Sequence, residues 1–166
     1  MDAEFRNGKV LLPNGKELHD KGFGKMEENV LVLDPIEALF LLERGRIKIL
    51  SDTRELNNKN FLKICCSSDP RFEVKYTVYK DLKLRGFHVR PGFEGSDFRV
   101  YEKSSAEKRK KIKWIVFCNS EDSPCNLDQL ARAVKLAKNI RTTALWAVVD
   151  NDSDVTYYII NEMEKL

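Results

Sequence analysis

The 166-residue sequence predicts an α/β protein, in which a small α+β N-terminal unit precedes a mixed-sheet α/β C-terminal domain. Three observations lead to this prediction: two segments carry clear helix start signals, several apolar runs have strand character, and helices alternate with strands. From residue 70 onward the predicted order is helix, three strands, helix and two strands. We place the boundary between the two units after residue 66, which gives domains 1–66 and 67–166.

The N-terminal unit is predicted to contain short β-hairpins followed by one well-defined helix. Residues 8–33 alternate apolar runs with glycine-containing turns, which is typical of hairpins. Asp34 is a favourable N-cap, Pro35 suits the first helical position, and Glu37 completes a capping box. Gly45 ends this helix, a strand follows at residues 47–50, and a weaker pattern indicates a further helix over residues 53–68.

The C-terminal domain is predicted to contain two helices and five strands. Asp69 and Pro70 begin the first helix, and Gly86 ends it. Asn126 or Asp128 begins the second helix, which is amphipathic and is predicted to extend to Arg141. The strands are predicted at residues 87–93, 97–102, 111–118, 143–150 and 155–163.

The composition excludes several classes of protein. No apolar run approaches the roughly 18 residues of a membrane span, and the first residues lack the apolar core of a signal peptide. We therefore expect a soluble, cytoplasmic protein with no membrane partner. The net charge of +3 is too small to identify a polyanionic partner without knowing how the charges are distributed.

The cysteines and histidines do not predict a metal site. Four cysteines occur at positions 65, 66, 118 and 125, and their spacing does not match a zinc motif. Buried reduced thiols are the favoured interpretation, and a bridge between Cys118 and Cys125 stays open. His19 and His88 carry no motif and are interpreted as structural or surface residues. The sequence also lacks the common hydrolase motifs, so we predict no metal and no cofactor.

Charged segments of both signs allow two interpretations each. Residues 103–113 hold six Lys or Arg, which form either a solvated hairpin tip, the favoured reading, or a phosphate-contacting loop. Two acidic patches, residues 119–128 and 150–154, serve either solubility or docking into a basic groove of another chain. The last strand is apolar on both faces, which predicts either an internal strand buried on both sides or an edge that pairs with another subunit.

The most specific stretch of the chain, residues 79–103, reads YKDLKLRGFHVRPGFEGSDFRVYEK. It resembles the signature of the archaeal tRNA-splicing endonuclease family, Y-K-D-L-R-x-R-G-(Y/F)-x-V-(K/R)-x-G-(L/F) followed by DFR-(L/V)-YE. The resemblance continues through IKWIVF, the EDS loop, AKNIR and ALWAVVDNDSDVTYYII. In the N-terminal half, DPIEALFLLERG is similar to the S-x-x-EA-x-x-L-x-x-G helix of the family, so the resemblance covers most of the chain and implies a nuclease-like C-terminal domain.

The resemblance implies metal-independent cleavage of precursor tRNA at bulge-helix-bulge structures. In this family a tyrosine helps to deprotonate the attacking 2′-hydroxyl, a histidine protonates the 5′-oxygen leaving group, and a lysine stabilises the phosphorane. The products are a 2′,3′-cyclic phosphate and a 5′-hydroxyl. One base, one acid and one fixed positive charge are sufficient for this in-line attack.

Only one of these three groups is matched in the sequence. Tyr101 corresponds to the family tyrosine. The histidine position falls at Lys110 or Lys111, and the lysine position, which follows Arg141, holds Thr142. Loss of the acid and of the charge stabiliser would each slow cleavage by about 10²–10⁴. The resemblance therefore implies a chain that is inactive alone and keeps Tyr101 for packing.

The family includes heterotetramers of two catalytic and two structural subunits, and the resemblance implies the structural role for this chain. Its acidic loop, residues 119–124, would insert through Glu121 and Asp122 into a basic groove of a catalytic subunit. Lys135 matches an arginine that helps to hold a bulged RNA base, and Lys135 and Arg141 are candidate RNA contacts. The terminal strand would pair with the equivalent strand of the catalytic subunit through Val155, Tyr157, Tyr158, Ile159 and Ile160.

Two alternatives stay open. In the first alternative, the chain is an active, self-assembling endoribonuclease that uses Tyr101 with a substituted lysine. In the second, it is a plain RNA-binding module. Cleavage of a bulge-helix-bulge RNA by the chain alone, without metal, would support the first alternative. Tight, salt-dependent RNA binding without a protein partner would support the second.

Overall fold

A computed structural model of the protein describes residues 1–102 and 111–161. The chain divides into two compact units, Met1–Glu73 and Val74–Leu166. The described residues form two mixed sheets and five helices, which confirms the predicted mixed α/β class. The domain boundary predicted after residue 66 stays a prediction.

The first unit is built around a six-stranded sheet. Its elements are β1 (Asp2–Arg6), β2 (Lys9–Pro13), α1 (Lys16–Asp20), β3 (Lys25–Glu27), β4 (Val30–Leu33), α2 (Pro35–Glu43), β5 (Lys48–Ser51), β6 (Arg54–Leu56) and α3 (Asn58–Ser68). The strand order is β3-β4-β2-β1-β5-β6, with β1 parallel to β5 and the other neighbours antiparallel.

The predicted capping box at the start of α2 is confirmed. The Asp34 carboxylate accepts a hydrogen bond from the Ile36 N–H at 3.0 Å, and the Glu37 carboxylate accepts one from the Asp34 N–H at 3.2 Å. The second Glu37 oxygen accepts a hydrogen bond from the Gly24 N–H at 3.3 Å, so this buried carboxylate also anchors the turn before β3. Helix α2 is buried over most of its surface, which explains why its apolar pattern is broader than one face.

The second unit is built around a five-stranded sheet. Its elements are α4 (Phe72–Leu84), which begins at the junction of the two units, β7 (His88–Pro91), β8 (Phe98–Tyr101), β9 (Ile112–Ser120), α5 (Leu127–Asn139), β10 (Thr143–Val149) and β11 (Val155–Ile160). The strand order is β11-β10-β9-β8-β7, with β9 parallel to β10 and the other pairs antiparallel.

The two faces of the second sheet carry different helices. Ala133 and Ala137 of α5 pack with Ile115, Ala144 and Trp146 on one face. On the opposite face, Tyr79 of α4 contacts Phe98 with a ring separation of 5.6 Å. A capping box between Asn126 and Gln129 starts α5, which selects Asn126 from the two predicted caps.

Several predictions about individual elements are wrong. Strand β1, the short helix α1 and strand β6 were not predicted, because each is short and lacks a strong period or cap. The second C-terminal helix ends at Asn139, so Arg141 lies in the following turn with a positive φ of 55°. Most of the basic segment 103–113 lies outside the described residues.

Within residues 1–102 and 111–161, no helix is both long enough and apolar enough to cross a membrane.

Candidate functional site

The three positions that the sequence analysis matched to the family's catalytic groups converge at one end of the second sheet. Tyr101, the last residue of β8, pairs with Ile112, the first residue of β9. Lys111 immediately precedes Ile112, and its carbonyl accepts a hydrogen bond from the Glu102 N–H at 3.1 Å. The Thr142 hydroxyl donates to the Ile112 carbonyl at 3.1 Å. Because these contacts meet at Ile112, Tyr101, Lys111 and Thr142 form one cluster, while Lys110 lies outside the described residues.

The hydroxyl of Thr142 has a structural role in this cluster. Thr142 follows the end of α5, where its N–H bonds to the Ala137 carbonyl at 2.9 Å. Its side chain then ties this turn to the start of β9. Threonine carries no positive charge, so the position supplies a hydrogen bond between two backbone segments and no charge for a reacting phosphate.

His88 lies directly beside Tyr101, a neighbour that the sequence analysis missed. The two residues are paired across β7 and β8, and their ring centroids are 5.3 Å apart. Sequence reasoning interpreted His88 as a structural or surface residue because it has no motif. Only the hairpin register, in which Pro91 pairs with Phe98, brings His88 to Tyr101. The other histidine, His19, is exposed on α1.

Arg99 is a second residue of this region that the sequence analysis missed. It lies two residues before Tyr101 on β8 and pairs with Arg90 of β7. Its guanidinium carbon lies 5.0 Å from the ring centroid of Phe93 and 5.9 Å from that of Tyr101. The Arg99 Nε atom is buried and has no hydrogen-bond partner among the described residues.

The two RNA-contact candidates from the α5 region occupy different settings. Lys135 is exposed on α5. Arg141 lies beyond the helix, where its N–H bonds to the Lys138 carbonyl at 3.0 Å and its positive φ is strained for a residue other than glycine.

The two acidic patches form one surface at the opposite end of the sheet. Strands β9 and β10 are parallel, so the loops that follow them are neighbours. The Glu121 carboxylate accepts a hydrogen bond from the Asn151 N–H at 3.0 Å, and the Glu121 N–H bonds to the Val149 carbonyl at 2.9 Å. Asp150 accepts hydrogen bonds from the N–H groups of Asp152 and Asp154, both at 2.9 Å. We call this surface, which also includes exposed Asp122, the acidic end.

Strand β11 lies at the edge of the sheet and pairs with β10 alone among the described strands. The expectation that it is buried on both sides is wrong for this chain, because Tyr158 and Ile159 are 54% and 58% exposed. These two residues lie on opposite faces of the strand, since successive side chains alternate. Val155 and Ile160 are half-buried.

Tyr157 faces inward and connects β11 to α4. Its hydroxyl donates to the Asp81 carboxylate at 2.6 Å, and the same carboxylate oxygen accepts from Arg85 at 2.8 Å. Burial, followed by the hydrogen bond to Asp81, raises the pKa of Tyr157 above its ordinary value. This contact holds one face of β11 against α4. The backbone edge of β11 that points away from β10 has no strand partner among the described residues.

We expect Tyr157→Phe to lower the free energy of unfolding by about 2 kcal/mol at pH 8, because a hydrogen bond to a charged acceptor is lost. The difference from wild type should shrink as the pH rises above about 10, the ordinary tyrosine pKa. There the unfolded wild-type chain releases the proton that the folded chain retains. Urea unfolding of both proteins at several pH values measures this, and a difference that grows with pH would contradict it.

All four cysteines are free thiols. Cys118 is buried in β9 and Cys125 is exposed, and the structure shows no disulfide bridge between them. Burial raises the pKa of Cys65 to about 12, with Cys66 and Asp34 contributing further. Within the described ranges, no group of three His, Cys, Asp or Glu side chains could hold a metal ion.

We expect iodoacetamide at pH 8 to modify Cys125 in minutes while Cys65 and Cys118 stay protected. A thiol with the pKa of Cys65 is ionised in only about one molecule in 10⁴ at pH 8, and the thiolate is the reactive form. Peptide mass spectrometry over time, with a denatured control in which all four thiols react, measures the order. Protection of Cys125 that disappears only after a reductant is added would contradict the free-thiol assignment.

Comparison with known proteins identifies both units. Residues 1–62 match the model of the tRNA intron endonuclease N-terminal domain, and residues 72–157 match that of the tRNA intron endonuclease catalytic C-terminal domain. The second match includes Tyr101, Lys111 and Thr142. The paired domains define the chain as a protein of the tRNA-intron endonuclease class.

Relatives of known name agree with this assignment. The chain is 39% identical to the tRNA-splicing endonuclease of Thermococcus kodakarensis over 82% of its own length and 80% of that protein. It is 36% identical to the tRNA-splicing endonuclease of Methanococcoides burtonii over 95% of its length, and 39% identical to that of Methanosarcina acetivorans over 96%. The chain spans only 45% and 46% of those two longer proteins. The chain belongs to the tRNA-splicing endonuclease family.

Proposed function

We propose that this chain is the structural, non-catalytic subunit of a heterotetrameric tRNA-splicing endonuclease. It assembles with a catalytic subunit and positions it to cut bulge-helix-bulge introns in precursor tRNA, in the cytoplasm. The observation that carries the proposal is the state of the cluster at Ile112. Tyr101 is present, but Thr142 occupies the lysine position and donates its hydroxyl to the Ile112 carbonyl.

The chemistry of RNA cleavage explains why this cluster favours a non-catalytic role. A threonine cannot stabilise a phosphorane by charge, and a lysine holds its proton too tightly near neutral pH to replace an imidazole as general acid. Each missing group costs about 10²–10⁴ in rate, so two losses together leave little catalysis. Tyr101 as a base would act without a partner at either family position.

The distribution of charge supports a role in assembly. Strands β9 and β10 both run from a basic end, with Lys111, Lys113 and Arg141, toward the acidic end. The nine residues of β9 separate the two ends by roughly 30 Å. An acidic surface at this distance from the tyrosine cluster is free to dock against a basic groove while the other end faces RNA.

The open edge of β11 supports pairing with a second subunit. An exposed edge with apolar Tyr158 and Ile159 is an aggregation hazard unless another chain covers it. Strand addition across such an edge supplies main-chain hydrogen bonds, and the two exposed side chains would pack on either face of the extended sheet.

Co-expression with a catalytic family member tests the proposal. Native mass spectrometry of the purified mixture should give a complex with two copies of each chain. A mixture that contains only separate homomeric species would overturn the structural-subunit assignment.

One observation favours an active enzyme as the second candidate. His88 brings an imidazole to Tyr101 from a strand other than the one that carries the family histidine. An active chain would pair Tyr101 with a substituted lysine or with His88 as acid. This candidate predicts metal-independent cleavage by the chain alone, and loss of that cleavage in His88→Gln.

A further inference from the structure

Four side chains form a two-by-two block on one face of the β7–β8 hairpin. His88 lies opposite Tyr101, and Arg90 lies opposite Arg99. Side chains that are directly opposite in an antiparallel pair share a face, with their Cβ atoms about 5 Å apart. The block therefore places two arginines side by side, which concentrates guanidinium groups on this face of the hairpin.

The block lies on the α5 face of the sheet but beside that helix. Arg99 also pairs with Ile115, which belongs to the core cluster under Ala133 and Ala137 of α5. That cluster draws on β9, β10 and α5, whereas the block lies on β7 and β8. All four side chains of the block are half-buried, so they are reachable from solvent.

The Arg99 guanidinium is held in a fixed orientation. The rings of Phe93 and Tyr101 lie 5.0 Å and 5.9 Å from its central carbon, and both distances allow cation–π attraction. Its Nε donor is buried without a hydrogen-bond partner among the described residues. Because the Arg99 side chain is only half-buried, its terminal guanidinium nitrogens are the donors that remain available to an anionic ligand.

We propose that Arg99, with His88 beside it, binds a backbone phosphate of RNA. The guanidinium presents its donors as a planar fork that matches two phosphate oxygens, and stacking on two rings prepares that orientation in advance. Neither Arg99 nor His88 belongs to the three family catalytic positions, so the site can retain RNA without cutting it. The choice of RNA as the ligand rests on the proposed function.

The test measures RNA binding by the full chain. The probe is a fluorescent bulge-helix-bulge RNA with 2′-deoxyribose at both cleavage positions, which cannot be cut by 2′-hydroxyl attack. Anisotropy titrations at several salt concentrations compare wild type with Arg99→Gln. We expect a roughly tenfold loss of affinity and a salt slope that falls by about 0.7–0.9, the contribution of one phosphate contact.

Arg44→Gln is the matched control, because Arg44 also stacks on an aromatic ring, Phe40, at 4.6 Å. The Arg44→Gln variant loses the same positive charge and the same kind of cation–π contact. It should bind the RNA probe with wild-type affinity. A second measurement uses only the wild-type protein and so does not depend on the folding of a variant. In wild-type protein, the NMR signal of the Arg99 Nε–H should shift when the RNA probe is added, while that of Arg44 should not.

The results separate this proposal from the proposed function. No RNA binding by wild type, an unchanged Arg99 signal, or equal affinity and salt slope for Arg99→Gln would overturn the phosphate site. Such a result would leave assembly with a catalytic subunit untouched. Conversely, a chain that forms no heteromeric complex but loses RNA affinity in Arg99→Gln would retain the phosphate site and lose the proposed function.

Discussion

Replacing Ile159 with lysine should lower cleavage by the mixed subunits about a hundredfold at submicromolar concentration. The wild-type side chain is 58% exposed on the open edge strand, and pairing with another subunit would bury it. Lysine there would lose the apolar contact and place an unpaired charge in the interface. A combined penalty of roughly 3 kcal/mol weakens the dissociation constant by about a hundredfold. Single-turnover cleavage and sedimentation velocity of the mixture measure the effect.

Leu84→Lys is the matched control for this prediction. Leu84 lies at the end of α4 and is 61% exposed, so the substitution makes the same chemical change at a similarly exposed residue. We expect it to leave assembly and cleavage unchanged. Wild-type cleavage by Ile159→Lys, at concentrations where the native complex is partly dissociated, would contradict the edge-strand interface.

Reversing the charge at Glu121 and Asp122 together should dissociate the heterotetramer into heterodimers. We expect Glu121→Lys with Asp122→Lys to weaken the association of dimers about a hundredfold, because two lysines would meet a basic groove. The pairing along β11 should survive, since it involves the open edge of β11, whereas Glu121 and Asp122 lie in the loop after β9. Native mass spectrometry should therefore detect a heterodimer in place of the heterotetramer, and cleavage should fall with it.

Glu27→Lys with Glu28→Lys is the matched control for the charge reversal. These residues are also adjacent, acidic and exposed, and they lie in the first unit, at the turn between β3 and β4. The control should assemble like wild type. Full tetramer formation by the Glu121 and Asp122 variant would contradict docking through the acidic end.

Local signals in the sequence predicted much of the fold correctly. Helix α2 follows from Asp34, Pro35 and Glu37, and α5 follows from Asn126, because capping depends on residues close together in the chain. Helix α1 was missed because it has five residues, and Gly15 caps it without a side-chain hydrogen bond. Strand β6 has only three residues and was absorbed into the predicted helix that follows.

The candidate site was only partly predictable for a different physical reason. Tyr101, Lys111 and Thr142 were selected because the chain resembles a known family in the segments around them. His88 and Arg99 were missed because their importance depends on the register of β7 and β8, and a loop of six residues from Gly92 to Asp97 sets that register. Likewise, the union of the two acidic patches depends on the parallel pairing of β9 and β10, which the sequence pattern does not specify.

The central claim is that this chain assembles the enzyme without performing the chemistry. Its most direct test is single-turnover cleavage of a bulge-helix-bulge precursor tRNA in EDTA, by this chain alone, by a catalytic subunit alone and by their mixture. We expect efficient cleavage only in the mixture, with 2′,3′-cyclic phosphate and 5′-hydroxyl ends. Cleavage by this chain alone at a rate similar to that of the mixture would contradict it.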